Sequence, residues 1–132
     1  YILTPFNFVV GYITVLVGVI VTGAGPHAGD AAAPRNGLDL EWLQHFHSYP
    51  AYVALGLSVV IWFAINQVNE DGSLKLQLRI SSLLVLTLSA QAIIGVAQAR
   101  LGVPAELVAA HILLAAVLCS LLAFNQLANR SR

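Results

Sequence analysis

Residues 105–127 read AELVAAHILLAAVLCSLLAFNQL, a run whose only charged residue is Glu106, at its start, and whose only histidine is His111. As a helix rising 1.5 Å per residue it is long enough to cross a hydrocarbon core of about 30 Å. Reading outward, three more runs of this kind precede it, at about 6–24, 43–67 and 80–99, and none of them contains Asp, Glu, Lys or Arg. The whole chain of 132 residues is 58% hydrophobic and 9% charged, with a mean hydropathy of +0.81. Soluble domains carry about 25% charged residues. So apolar a chain has lipid as its solvent, and lipid admits only structures that satisfy the backbone internally. The reading is an all-α, integral membrane four-helix bundle, with residues 1–132 forming one transmembrane domain.

The connections set the topology. Residues 25–42 form a polar, glycine- and proline-containing loop with Arg35, Asn69–Ser73 makes a turn, and Arg100–Pro104 is a tight link. Short links force antiparallel neighbours, giving an up-down-up-down order. Lys75, Arg79, Arg130 and Arg132 lie at one end and Arg35 and Arg100 at the other. The positive-inside rule then puts the C-terminus in the cytoplasm and the loop 25–42 outside. The glycosylation sequon at Asn129-Arg130-Ser131 is cytoplasmic on this topology and carries no meaning. The second span starts at Leu43 or at Tyr49, since Ser48-Tyr49-Pro50 reads either as a helix start or as a proline kink.

Some classes fall away at once. Net charge is zero and no basic run exists, which excludes a nucleic-acid partner. The single cysteine, Cys119, has no disulfide or CxxC partner and reads as a buried structural thiol. There is no internal repeat. The chain starts at Tyr1, contains no methionine and shows no cleavable signal; the expectation is a segment of a longer protein.

The histidines carry the chemistry, because polar ionisable groups inside a span are costly and tend to be functional. His111 falls roughly 10 Å inside the outer end of the fourth span. His47 lies near the outer end of the second, so two imidazoles on different helices share one depth. Such a pair can ligate a haem iron axially from within a bundle. The stripe around His47 is small or uncharged (Gln44, Pro50, Ala51, Ala54, Ser58), which leaves room for a flat macrocycle, and Ala115 follows His111 on its face. His45 is about 200° around the helix from His47. Its stripe of Trp42, Tyr49 and Tyr52 is an interfacial aromatic belt, so His47 is the ligand of the two. The plain reading of a histidine at a span end is an interfacial or interhelical hydrogen-bonding residue, and His45 is assigned to it. His27 reads as a solvated loop residue. Zinc is disfavoured because no cysteine or carboxylate joins the pair. Gln91, Gly95 and Gln98 share one face of the third span: a small, polar packing seam, or donors to a cofactor edge. Arg100 is either a snorkelling anchor or a partner for haem propionates.

Residues 19–30 (VIVTGAGPHAGD), 91–98 (QAIIGVAQ), 101–104 (LGVP) and 108–111 (VAAH) resemble bacterial haem A synthases, especially those of actinobacterial type. Residues 44–47 (QHFH) fall where that family places a histidine on its sixth span. The resemblance covers almost the whole chain. The family has eight spans in two similar halves, each with a histidine pair, and this chain resembles the C-terminal half. The resemblance implies His47 and His111 as axial iron ligands of a haem b. It also implies a membrane oxidoreductase that converts haem O to haem A for cytochrome oxidase. Its setting would be a bacterial plasma membrane, with haem O synthase or oxidase assembly factors as partners. Two departures are plain: the family's catalytic glutamate, one turn before a histidine, is here Gln44, and its outer-loop cysteine pair is missing. Both suit a half that holds a haem while the other half oxidises, so no catalytic residue is assigned. Activity from these residues alone would require a homo-oligomer. The alternatives are a non-enzymatic b-type cytochrome or haem-carrying respiratory subunit, and a structural subunit whose histidines only form hydrogen bonds.

Overall fold

The computed structural model describes residues 2–26, 34–70 and 72–130. His27 and the Ser131 of the sequon lie outside the described residues. Four helices follow one another: α1 (Leu3–Ala24), α2 (Leu40–Val68), α3 (Lys75–Arg100) and α4 (Ala105–Arg130). All four are long and apolar enough to cross a membrane, so this is a multi-pass membrane protein built as an all-helical bundle.

Each helix matches one apolar run, and most run past it. The second shows why. Asp39 caps it, its carboxylate accepting the Trp42 N–H at 2.7 Å, so α2 starts at Leu40 rather than at Leu43 or Tyr49. Pro50 sits inside α2, where the missing N–H leaves the Phe46 carbonyl without its intrahelical donor. The 34–39 segment returns to α1: Asn36 donates through Nδ2 to the Ile20 carbonyl at 2.9 Å, and its N–H donates to the Gly23 carbonyl at 3.2 Å. Those bonds satisfy carbonyls that a helix end leaves orphaned. Arg35 donates to the Pro26 carbonyl at 2.7 Å, which ties the loop to itself.

The α3–α4 link is a Schellman motif. Val103 N–H reaches back to the Gln98 carbonyl at 2.8 Å, and Gly102 takes the left-handed conformation with φ of 74°. Val103 itself has φ of 60°, a strained value for a β-branched residue. At the opposite end Asn69 Oδ1 accepts the Leu74 N–H at 2.7 Å and closes the 69–74 turn.

The helices pack as a square in which α1 touches α2, α2 touches α3, α3 touches α4 and α4 touches α1. α2 and α4 therefore stand diagonally opposite. Along the bundle axis the interior is layered. Toward the turn end each helix contributes a buried polar residue to one of two interhelical bonds. Asn7 of α1 donates to Ser58 of α2 at 2.8 Å, and Ser81 of α3 donates to Asn125 of α4 at 3.2 Å. Each of the four is 2% exposed or less. One or two turns toward the loop end lies a dry layer of Ala54, Leu84, Leu88, Leu118 and Leu122. Here α1 and α4 come close: a Cβ on Gly11 would meet Leu122 Cδ1 at 2.5 Å, and Tyr12 donates through its hydroxyl to the Cys119 carbonyl at 3.2 Å. The Cys119 side chain is half-buried, against the expectation of a buried thiol, because position 119 lies at the edge of the face that α4 turns inward.

Candidate cofactor site

Two turns beyond the dry layer, toward the loop end, the bundle places its histidines. His47 is seven residues before Ala54 on α2, and His111 is seven before Leu118 on α4. A seven-residue step is almost two whole turns, so both imidazoles project from the core-facing stripe. They meet across the diagonal, with ring centroids 6.3 Å apart and ring planes at 66°. The Nδ1 atoms of both are buried without a hydrogen-bond partner. Buried polar atoms are otherwise nearly always paired, and leaving one unpaired costs about 1–3 kcal/mol.

Glycines let the rings come so close to their neighbours. A Cβ on Gly18 of α1 would stand 3.0 Å from His47 Cε1, and one on Gly95 of α3 would stand 3.5 Å from His111 Cε1. The Thr14 carbonyl of α1 approaches the His47 ring without completing a bond to Nδ1. Four residues before Gly95 comes Gln91, 8% exposed, whose Oε1 is also buried and unpartnered. α1 and α3 thus present the same device, a polar group at one position and a glycine four residues on: Thr14 with Gly18, Gln91 with Gly95. Sequence reading found the second pair and missed the first. Thr14 and Gly18 are uncharged residues within an apolar run, and only the repeated spacing could have drawn attention to them.

The other expected residues are placed as follows. His45 is exposed on the opposite side of α2, beside Trp42, Tyr49 and Tyr52, each more than half exposed. Trp42 stacks on Phe46 with centroids 5.2 Å apart. Gln44 and Gln98 are half-buried, and Arg100 is exposed at the end of α3.

The donor set decides which group would fit. Among the described residues no third His, Cys, Asp or Glu joins the pair to hold a metal ion. Zinc, which takes three or four protein ligands, does not suit it. A haem brings four equatorial nitrogens of its own and asks the protein for two axial ones. Two imidazoles bonded to one iron at about 2.0 Å, with each ring centre about 1.1 Å behind its nitrogen, would have centres roughly 6.2 Å apart. The pair, at 6.3 Å, is close to that separation, and its glycine-lined walls fit a haem.

No protein-family model, curated protein or solved structure matches this chain.

The two glycines give a test of the walls. In Gly18→Ala the new methyl, at 3.0 Å from Cε1, pushes the His47 ring; in Gly95→Ala, at 3.5 Å, it makes ordinary contact. Haem titration of the purified variants is expected to show affinity lowered on the order of 10-fold for Gly18→Ala. Gly95→Ala is expected to match wild type. Equal behaviour of the two would mean that ring position does not govern binding.

Proposed function

We propose that this chain is the haem-binding half of a haem A synthase-like membrane oxidoreductase, with His47 and His111 as the axial ligands of a b-type haem. The observation that carries the reading is the pair itself: two imidazoles on diagonal helices, projecting from the core-facing stripes with ring centroids 6.3 Å apart. The resemblance of residues 19–30 and 91–111 to haem A synthases supplies the family, the conversion of haem O to haem A and the eight-span context. Four basic residues at the turn end against two at the loop end support a topology with the loop end outside and the site in the outer half of the membrane, and the resemblance supplies the bacterial plasma membrane.

When bound, the haem would supply one-electron redox chemistry. The chain's own part is positional. His47 and His111 would hold the haem, Gly18 and Gly95 leave space beside the imidazoles, and the leucine layer lies between them and the turn end. Glu41, Glu70, Glu106 and Asp39 all lie in the outer turns of helices or in connections, and position 44 is a glutamine. With no carboxylate on the inner face among the described residues, this half suits electron transfer or structural support more than oxidation of a substrate methyl. The same feature favours, as a second reading, a b-type cytochrome subunit without synthase activity.

The deciding measurement is the reduced-minus-oxidised visible spectrum of the detergent-purified protein. Sharp low-spin b-type α and Soret bands are expected. A featureless spectrum that persists after haem is added back would remove the cofactor reading and leave a structural subunit. Conversion of haem O to haem A by membranes carrying the full reading frame separates synthase from cytochrome.

A further inference from the structure

Four side-chain atoms among the described residues are buried without a partner: Asn7 Oδ1, His47 Nδ1, Gln91 Oε1 and His111 Nδ1. Two of them belong to one corner of the bundle and are chemically complementary. A histidine that binds iron through Nε2 keeps its proton on Nδ1 and must donate it. Gln91 Oε1 is an acceptor with nothing to accept. Gly95, one turn beyond Gln91 on the same stripe of α3, already lies against the His111 ring. The two residues are therefore about one helical turn, roughly 6 Å along the axis, from sharing a level. Rotation about the three side-chain torsions of Gln91 would carry Oε1 toward the ring.

We infer that Gln91 is the positioning residue for His111: its amide carbonyl accepts the His111 Nδ1–H, fixes the tautomer that leaves Nε2 free for iron, and tunes the iron's potential. This rests on the haem reading of the pair. On the α1 side the group near the His47 ring is the Thr14 backbone carbonyl, which mutation cannot remove. Gln91 is the adjustable half of the site.

The chemistry fixes the sign. An imidazole that donates from Nδ1 is a more basic ligand and favours the ferric state, lowering the potential. Removing the acceptor raises it. The test is a spectroelectrochemical titration of the haem-loaded wild type, Gln91→Met, Gln91→Glu and Gln91→Leu in one detergent. Gln91→Met, close to glutamine in shape, and Gln91→Leu should both shift the midpoint upward. Gln91→Glu, which keeps an acceptor, should lie at or below wild type. Leu86→Ala, on the exposed side of α3, should leave the midpoint unchanged. If a variant fails to hold haem, the remaining ones carry the comparison. A Gln91→Met midpoint equal to wild type, or a shift of the same size in Leu86→Ala, overturns the role of Gln91 while leaving the haem pair standing. A wild-type protein that takes up no haem overturns the pair itself and this inference with it.

Discussion

His111→Ala is expected to abolish haem binding, His47→Ala to do the same, and His45→Ala to leave most of it. The two core-facing imidazoles are 6.3 Å apart and nothing else in the described residues can replace either as a ligand. Removing one leaves a single axial bond and, in place of the other ring, a void in the diagonal. His45 lies only two positions from His47 but points away from the core, exposed among aromatic side chains. The readout is the α-band intensity per mole of purified protein for the three variants. If His45→Ala loses haem as fully as His111→Ala, the assignment of the pair is wrong.

The second large effect concerns the seam between α1 and α4. Gly11→Ala places a methyl 2.5 Å from Leu122 Cδ1, 3.0 Å from Cδ2 and 3.3 Å from Cγ. Leu122 is 1% exposed and packed within the leucine layer, so it has no free rotamer to retreat into. Overpacking of this kind costs about 1–3 kcal/mol. Leu122→Ala alone empties the same place and costs about 2–5 kcal/mol. Combined, the two substitutions relieve one another, because the new methyl occupies part of the cavity. Unfolding in mixed micelles is expected to show a double variant more stable than the sum of the single losses predicts. Strict additivity would mean that α1 and α4 are not in contact at this level.

How much of this was legible in the sequence differs from element to element. The four spans were plain, because each is an apolar run longer than a bilayer core is thick. That His47 rather than His45 faces the bundle interior was also legible, since two residues on a helix differ by about 200° and the companions of His45 are aromatic. Helix ends were less so. The start of α2 depends on a single cap, the Asp39 carboxylate on the Trp42 N–H, and Pro50 sits within the helix instead of opening it. The diagonal placement of α2 and α4 was not legible either. Short loops say only which helices are neighbours in sequence, and the square closes through α1 against α4, a pairing that no loop enforces. Gly18 was silent for a further reason: a glycine in a valine-rich run signals nothing until the ring it accommodates is seen beside it.

The leucine layer between the histidines and the buried Asn7–Ser58 and Ser81–Asn125 bonds has a directional consequence. Its five side chains are at most 4% exposed, so the interior is an insulator through its middle and polar on either side. Along the bundle axis, apolar side chains stand between the imidazoles and the turn end. The bundle is in this sense a well rather than a channel, closed at its floor.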